Sequence, residues 1–218
     1  MTNSFLDNSF AKQIFFLFQF LPLGVKCYTA TLVNDFFRIY FIGDSQKKEF
    51  FYLDLSKPFD VSNAPWNTIE IRGNVNLTRY DFATAVFNHY DNSIYYIGGE
   101  TAQSGDPFIY AFNILNESFS IPNTLNNKLV PQQRVGFQAE IYNGKIYLFI
   151  GPSDNSNNFG RMILLDTVSP GLIWALGEND NPPFARYGYT ATLIPYNGLI
   201  IYIGGIYQNG SYADMNEV

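Results

Sequence analysis

The sequence has little of the chemistry on which most metal and enzyme sites depend. Among its 218 residues there is one cysteine, Cys27, and one histidine, His89. No disulfide can form within the chain, and no structural zinc site can be built, because such a site needs four Cys or His ligands. A catalytic site that relies on histidine has a single candidate, and we expect no metal and no other cofactor.

Charged residues are also scarce, at 15% of the chain. The 13 basic and 19 acidic residues give a net charge of −6, which argues against a nucleic-acid partner because phosphate contacts need clustered Lys and Arg. Aromatic residues, in contrast, reach 18%, alongside 17 glycines and 11 prolines. This composition predicts an all-β protein with many turns, since the surfaces of long helices are usually filled with Glu, Lys and Arg.

The N-terminal segment differs from the rest of the chain. Residues 14–25 form a largely apolar run after Lys12, and it is too short for a membrane span, which takes about 20 residues. The run has the length of a signal-peptide core, and Val25 and Cys27 are small enough to flank a cleavage site. We therefore predict a signal-like leader over residues 1–27. The alternative is a buried strand, with Cys27 as a small buried residue.

A leader of this kind predicts a secreted or cell-surface protein, whereas a chain without one would be cytoplasmic. A membrane attachment would need a further C-terminal apolar run of about 20 residues. Three N-x-S/T sequons, at Asn76, Asn116 and Asn209, are candidates for glycosylation. Because asparagine is frequent in this chain, that number of sequons also arises by chance.

One pattern recurs four times along the chain. Each copy has an aromatic-led first strand, a polar turn and an apolar second strand. The first strands are predicted at residues 28–32, 82–86, 137–141 and 189–193, and the second at residues 39–42, 94–97, 146–150 and 199–203. The turns are Asn34-Asp35, Asp91-Asn92, Asn143-Gly144 and Asn197-Gly198. Asn-Gly predicts a hairpin in which both turn residues have φ > 0.

Glycines close the second strands and set the period. They are Gly43, Gly98-Gly99, Gly151 and Gly204-Gly205, at spacings of 55, 53 and 53 residues. A third strand follows in the first three copies, at residues 50–55, 108–114 and 162–167, with Asp54, Asn113 or Asp166 near its end. A fourth element carries Trp66, Phe119 or Trp174. In three copies an arginine stands three residues before the leading aromatic: Arg79, Arg134 and Arg186.

Each copy therefore predicts a four-stranded antiparallel sheet. One such sheet cannot bury both of its faces alone, but it can do so by stacking against equivalent neighbours, as the blades of a β-propeller do. The aromatic excess is then the packing of blade faces. The glycine doublets give the backbone the freedom to turn sharply after the second strand.

An apolar strand, Gly-Gly, an aromatic residue and a tryptophan at this period resemble the kelch repeat. Residues 91–99 and 197–205 are the copies most similar to the kelch pattern, and the resemblance covers residues 28–218. It implies blades at residues 28–78, 79–133, 134–185 and 186–218, the last one truncated. The departures are the single glycines at 43 and 151, the absent arginine in the first copy and the absent tryptophan in the second.

Kelch propellers close with more blades than the roughly three and a half present here. Three explanations are open: a fragment of a longer protein, a chain that pairs with another partial propeller, or a stable open arc. An open arc would leave a blade face and strand edges exposed, which is an aggregation hazard.

The resemblance also implies a place for ligands. The loop before the first strand and the loop after the second share one face of a propeller, so Arg79, Arg134 and Arg186 are predicted there. In some kelch propellers that resemble this chain, arginines at this position contact acidic ligands, and a guanidinium can bind a carboxylate bidentately. The alternative is that they brace neighbouring blades through backbone carbonyls. His89 falls in a turn on the opposite face, where we expect it to be solvated.

We therefore expect a non-catalytic binding module that recognises a protein or a glycan through the loop face. Tyr207 and Tyr212 would suit stacking on a sugar. One alternative is a fragment of a copper oxidase similar to galactose oxidase. That resemblance implies a copper site made of two His, two Tyr and a Tyr–Cys crosslink. This chain, with one His and one Cys, cannot build that site. The other alternative is an intracellular kelch adaptor, although nothing in the N-terminal segment resembles a BTB or F-box domain.

Overall fold

The computed structural model describes residues 29–43, 49–70, 75, 77, 81–100, 105–130, 135–150, 161–178, 180, 183–207 and 209–214. Within these ranges the chain forms strands and three short 3₁₀ turns, Asn34–Phe36, Val61–Asn63 and Asn127–Leu129. No helix in them is long and apolar enough to cross a membrane. The all-β prediction is confirmed. The predicted leader, Cys27, Asn76 and Gly151 lie outside the described residues.

The first two sheets are four-stranded and antiparallel, with strand order following chain order. Blade 1 contains β1 (Thr29–Val33), β2 (Arg38–Gly43), β3 (Glu49–Asp54) and β4 (Trp66–Thr68). Blade 2 contains β5 (Ala83–Asn88), β6 (Ser93–Gly98), β7 (Ile109–Asn113) and β8 (Ser118–Ser120). The predicted fourth elements are therefore real strands, and they carry Trp66 and Phe119.

The third sheet has an additional outer strand. Blade 3 contains β9 (Thr124–Leu125), β10 (Ala139–Tyr142), β11 (Lys145–Ile150), β12 (Arg161–Asp166) and β13 (Leu172–Leu176). The short strand β9 pairs in parallel with β13, although its residues lie within the range predicted for blade 2. In blade 4, β15 (Thr190–Ile194) pairs with β16 (Leu199–Ile203), and β14 (Arg186–Tyr187) pairs with β17 (Ile206–Tyr207).

The four blades form an arc in which their first strands are successive neighbours. β1 lies against β5, β5 against β10, and β10 against β15. Side-chain hydrogen bonds cross each of these three boundaries. Near the first strands they run from Thr31 Oγ1 to Ala85 O (3.3 Å), from Ala139 N to Thr84 Oγ1 (3.2 Å) and from Ala191 N to Gln138 Oε1 (2.6 Å). This arrangement of radially stacked sheets confirms the predicted partial propeller.

Strand alternation divides the core between the two faces of each blade. In β6, Ile94 and Tyr96 pack towards blade 1, whereas Tyr95 and Ile97 pack towards blade 3. Between blades 1 and 2 the rings of Phe50 and Phe112 meet edge to face, with centroids 4.5 Å apart. Offset and edge-to-face pairs of this kind stabilise beyond the area they bury. The aromatic excess is thus used in the blade interfaces.

Phe82 does not take the place predicted for it. The equivalent residues Phe137 and Tyr189 are buried, but Phe82 has φ +59° and its side chain is half exposed. The reason lies one residue earlier, where Asp81 replaces the glycine that precedes Phe137 and Tyr189. In blades 3 and 4 that glycine adopts the left-handed conformation, whereas in blade 2 Phe82 adopts it, and the ring turns outwards.

The hairpin turns also differ from one another. Asn143 and Gly144 both have positive φ, at +48° and +69°, as predicted for an Asn-Gly turn. At Asn197-Gly198 the prediction is wrong for the first residue, since only Gly198 has positive φ. There the turn spans residues 195–198, and the backbone N–H groups of Asn197 and Gly198 both donate to Ile194 O.

Candidate functional site

The candidate site lies at the end of the arc where the first strands begin and the second strands end. We call this end the loop face. The structure describes part of it: residues 81–82, 100, 105–107, 135–136, 184–188, 206–207 and 209–214. The described part is carried by blades 2, 3 and 4, and it is built around the residues that lead into their first strands.

Backbone hydrogen bonds join the starts of these three blades. Gly136 N donates to Phe82 O at 3.3 Å, and Gly188 N donates to Gly136 O at 2.6 Å. A Cβ atom on Gly136 would lie 3.6 Å from Cβ of Tyr187, so blades 3 and 4 approach closely here. The residues around this junction are therefore held by the backbone and do not depend on side chains for their positions.

A small hairpin stands over blade 4. Its first strand, β17, pairs with β14 so that Arg186 lies opposite Tyr207, and Ile206 forms a bridge to Tyr212. Tyr207 N donates to Ser211 O and Gly210 N donates to Tyr207 O, both at 2.9 Å. Ala213 N donates to Gly205 O at 2.9 Å, which returns the chain to the glycine doublet.

Aromatic and aliphatic side chains, exposed except for the half-buried Tyr207, lie around this junction and hairpin. We call them the loop-face cluster: Phe82, Val135, Phe184, Tyr187, Tyr207 and Tyr212. Tyr212 is 81% exposed, and Phe82, Phe184 and Tyr187 are about half exposed. The rings of Phe184 and Tyr207 meet edge to face with centroids 6.3 Å apart. Such a cluster can bind by burying apolar area, and the hydroxyls of Tyr187 and Tyr212 can add directed hydrogen bonds.

Sequence reasoning identified only part of this cluster. Tyr207 and Tyr212 were identified from their position in the loop after Gly205, but Phe82, Phe184 and Tyr187 were not. The signal for Phe82 was present, since Asp81 interrupts the Arg-x-Gly pattern at that point. Tyr187 stands between Arg186 and Gly188, and the alternation of a strand places it on the side opposite the buried arginine.

Arg186 itself is buried, at 4% exposure. Its Cδ lies 3.3 Å from where a Cβ on Gly205 would be, and its charge lowers the pKa of the neighbouring Tyr189, against the larger rise that burial causes. Arg186 therefore packs beneath the glycine doublet of its own blade, and the bracing of neighbouring blades through backbone carbonyls stays a prediction. Arg79 and Arg134 lie outside the described residues, so a shared ligand-binding role for the three arginines stays a prediction.

The glycine doublets have the conformation expected of them. Gly98 and Gly99 have φ of +72° and +92°, and Gly204 and Gly205 have φ of +71° and +105°. A Cβ on Gly205 would lie 3.0 Å from Tyr187 O, so both conformation and space require glycine there. Gly43, the single glycine of blade 1, ends β2 without a positive φ.

One carboxyl and two phenolic side chains, those of Glu140, Tyr189 and Tyr202, lie where blades 3 and 4 meet. Burial raises the pKa of Glu140, partly offset by a hydrogen bond from the backbone N–H of Leu193. Burial also raises the pKa of Tyr202, and the charge of Glu140 adds to that rise. The Tyr202 hydroxyl is buried and has no hydrogen-bond partner among the residues that the structure describes. The Tyr189 hydroxyl, in contrast, donates to Phe149 O. In the part of the chain that the structure describes, no three His, Cys, Asp or Glu side chains could hold a metal together.

The opposite face carries the hairpin turns and the links between third and fourth strands. His89 lies there in an exposed turn, and its ring centroid is 4.1 Å from that of Tyr90. The sequon at Asn116 also lies on this face, whereas Asn209 lies in the hairpin on the loop face. In both sequons the asparagine Oδ1 accepts from the backbone N–H and the hydroxyl of the serine two residues on.

Comparison with known proteins agrees with this architecture. The sequence profile of the KLHDC2/KLHL20/DRC7 Kelch-repeats domain matches residues 27–218. No curated protein sequence matches the chain. Kelch-repeat domains typically act as non-catalytic modules for protein interaction. With four radially stacked blades, glycine doublets in the left-handed conformation and a profile match over nearly its whole length, the chain belongs to the kelch-repeat family.

Proposed function

We propose that this kelch-repeat chain is a non-catalytic module that binds a protein partner through its loop-face cluster. The observation that carries the proposal is the exposure of several large aromatic side chains at one junction of three blades. Aromatic residues dominate the binding energy of protein interfaces, and exposed apolar patches mark interaction sites. A glycan that stacks on Tyr207 or Tyr212 is the competing outcome.

The backbone that carries these exposed side chains is held in place by strand pairing. Tyr187 lies on β14, which is paired with β17, and Tyr212 is bridged to Ile206. Arg186 is buried directly beneath, so the strand that carries Tyr187 is fixed from below. A binding surface held on paired backbone loses less conformational freedom on association than one on free loops.

The test is a comparison of three proteins: the full chain, a variant with Tyr187→Ala and Tyr212→Ala, and a control with Phe37→Ala and Tyr90→Ala. Phe37 and Tyr90 are also more than half exposed, but they lie in hairpin turns on the opposite face. Each protein is immobilised and incubated with a cell extract and, separately, with a glycan array. Retained proteins are identified by mass spectrometry.

We expect proteins that are retained by the full chain and the control but lost from the loop-face variant. Loss from the control instead would place the binding surface on the opposite face. Glycan binding that depends on Tyr187 and Tyr212, without retained protein, would replace the protein ligand by a carbohydrate. Circular dichroism of all three proteins verifies that they are folded.

We further propose that the protein is secreted, with residues 1–27 removed as a signal peptide. The support comes from the apolar run in that segment and from the exposed sequons at Asn116 and Asn209, whose hydrogen bonds use Oδ1 and not the nitrogen that carries a glycan. Expression of the full chain in a eukaryotic secretory host should yield an N-terminus after residue 27. A glycosidase should remove a mass shift that Asn116→Gln and Asn209→Gln each reduce. An intact N-terminus on unglycosylated cytoplasmic protein would overturn this proposal.

A further inference from the structure

The hairpin on the loop face carries one of the three sequons of the chain. Two backbone bonds of 2.9 Å close its turn, from Tyr207 N to Ser211 O and from Gly210 N to Tyr207 O. Gly210 has φ +84°, the left-handed conformation that a three-residue hairpin loop needs at its last position. Asn209, the residue before it, is exposed and is the candidate for glycosylation.

The side chains of Tyr207, Asn209 and Ser211 lie on the same side of this hairpin. Ser211 stands opposite Tyr207 across the hairpin, and opposed residues of an antiparallel pair share a side. Asn209 Oδ1 accepts from Ser211 N at 2.9 Å and from Ser211 Oγ at 2.7 Å, so the asparagine side chain lies over Ser211. The amide nitrogen of Asn209, to which a glycan is attached, is therefore held on the side of the Tyr207 ring.

The Tyr207 ring has a fixed position. Tyr207 lies opposite Arg186 in the pair of β14 and β17, and the Arg186 side chain is buried. The ring of Phe184 meets the Tyr207 ring at 87°, with centroids 6.3 Å apart. Tyr207 is nevertheless only half-buried. Part of a positioned aromatic ring is thus open to a ligand beside Asn209.

Tyr212 belongs to the same hairpin but lies on its other side. It is bridged to Ile206, which precedes Tyr207 on β17, and successive side chains of a strand point to opposite sides. Tyr187, opposite Ile206 in the strand pair, shares the side of Tyr212. The two tyrosines of the proposed protein-binding surface are therefore directed away from the Asn209 side chain.

The sequon at Asn116 has the same local hydrogen bonds without the aromatic ring. Asn116 Oδ1 accepts from Ser118 N at 3.2 Å and from Ser118 Oγ at 2.7 Å. The residue two positions before it, where the loop-face hairpin has Tyr207, is Ile114, which is buried. Asn116 is therefore a matched reference for Asn209 in which a glycan has no ring at the equivalent position.

We propose that a glycan on Asn209 packs its first sugar, N-acetylglucosamine, on the exposed part of the Tyr207 ring, and that this contact stabilises the hairpin. One face of this sugar presents C–H groups, whose positive partial charge suits the negative face of an aromatic ring. Tyr207 is then occupied by a sugar of its own chain, and Tyr187 and Tyr212 remain for a partner. This inference rests on the proposed secretion, since the sequon receives its glycan in the secretory pathway.

The test measures the effect of one sugar at each of two sites. The full chain is expressed in a eukaryotic secretory host that adds high-mannose glycans. In one protein Asn76→Gln and Asn116→Gln restrict the glycan to Asn209, and in the reference Asn76→Gln and Asn209→Gln restrict it to Asn116. One half of each preparation is trimmed to the first sugar by endoglycosidase H. The other half is stripped by peptide N-glycosidase F, which converts the asparagine to aspartate at both sites alike.

At Asn209 we expect the sugar to raise the melting temperature by about 2–4 °C, the shift that one aromatic contact produces in a chain of this length. At Asn116 we expect no rise. Tyr207→Leu keeps an apolar side chain against Phe184 but has no ring, so it should remove the rise. Tyr212→Leu, in the same hairpin, should leave the rise unchanged. A rise that survives Tyr207→Leu, or an equal rise at both sites, would overturn the proposal.

Proton NMR of the two one-sugar proteins gives a second measurement, which decides the case if Tyr207→Leu does not fold. Protons that lie over an aromatic ring resonate upfield. We expect C–H resonances of the sugar on Asn209 to lie upfield of those of the sugar on Asn116. Coinciding resonances would overturn the contact with the ring.

Failure of secretion and failure of the sugar contact can be distinguished. A secreted protein with a glycan on Asn116 and none on Asn209 would overturn this inference and leave the secretion proposal standing. If the host yields no glycosylated protein, the sugar is attached chemically to Asn209→Cys or Asn116→Cys in a chain with Cys27→Ser. The cysteine thiolate displaces iodide from the iodoacetamide of N-acetylglucosamine and forms a thioether. Stabilisation at position 209 that Tyr207→Leu removes would support the contact, and equal stability with and without the sugar there would overturn it.

Discussion

The two end blades of the arc, blade 1 and blade 4, differ in how their outer faces are covered. At the blade 1 end, Phe41, Phe51 and Leu53 point away from blade 2 and are nevertheless buried, because Phe59, Val61, Ala64 and Trp66 pack on them. At the blade 4 end, Ile201 and Ile203 point away from blade 3 and are only half-buried. One end of the arc is covered by its own chain, whereas the described residues cover the outer face at the other end only in part.

The difference arises from the link between the third and fourth strands. In blade 1 this link spans residues 55–65 and includes a 3₁₀ turn, Val61–Asn63, capped by Asp60. In blades 2 and 3 the links span only residues 114–117 and 167–171. A longer link supplies apolar side chains that fold over the outer face, and the ring of Trp66 lies 5.4 Å from both Phe41 and Phe51. Insertions in surface links are tolerated at low entropic cost, so a blade can be sealed in this way without changing its strands.

The largest expected effect on stability comes from removing an aromatic ring on the outer face of blade 1, which residues 55–66 cover. Phe41→Ala should lower the free energy of unfolding by about 3–5 kcal/mol, because it leaves a cavity among buried rings. Ile203→Ala at the blade 4 end should cost less, since part of its side chain is already in water. Chemical denaturation followed by fluorescence measures both. Equal losses at the two ends would show that the blade 1 face is not sealed.

A smaller effect is expected from the hydrogen bonds between inner strands. Thr84→Val removes the acceptor of the buried Ala139 N–H and should cost about 1–3 kcal/mol, whereas Thr84→Ser should restore most of it. Thr192→Val, at an exposed position of β15, should stay within about 0.5 kcal/mol of the parent. Thermal unfolding of the four proteins tests this contrast, and a costly Thr192→Val would place a neighbour on the blade 4 end.

The sealing link should respond to acid. Hydrogen bonds from the side chain and backbone of Ser56 lower the pKa of Asp54, the last residue of β3 before this link. A lowered pKa in the folded state contributes stability that is present above the unfolded value, about 3.9, and is lost as the pH falls through the folded one. Asp54→Asn keeps an acceptor, as Asn113 does in blade 2. Its melting temperature should therefore fall less than that of the parent between pH 6 and pH 2.

Glu140, on β10 of blade 3, should change the stability in the opposite direction as the pH falls. Burial raises its pKa, so the protonated form is the more stable one in the fold, and this stability is lost as the pH rises through the raised pKa. Glu140→Gln keeps an acceptor for Leu193 N and should raise the melting temperature at pH 7 but not at pH 3. A variant less stable than the parent at pH 7 would show that the carboxylate is paired.

The sequence predicted the fold well because the fold repeats. The strand-closing glycines, the turn residues Asp54, Asn113 and Asp166, and the fourth-strand residues Trp66, Phe119 and Trp174 recur in phase, and each copy confirms the others. What the sequence did not predict depends on contacts between copies. Phe82 turns outwards because of a single change at Asp81, and β9 joins a sheet that begins later in the chain.

The candidate site was less predictable than the fold for the same reason. The arginine pattern predicted a site on the loop face, but the burial of Arg186 follows from its packing beneath Gly205, which no local pattern encodes. The seal over blade 1 follows from the length and apolar content of residues 55–65, and that segment lies outside the repeat. The recurring pattern of strands, turns and glycines predicts the scaffold. The loop face and the outer face of blade 1 depend instead on residues that depart from that pattern.

Hydrogen–deuterium exchange of the full chain, resolved by strand, tests the difference between the two ends most directly. Exchange from native strands reports how readily each sheet opens. The account predicts that β2, beneath the seal of blade 1, exchanges as slowly as β6 in the centre of the arc, and that β16 of blade 4 exchanges faster than either. Equal rates for β2 and β16, or a slower β16, would contradict it.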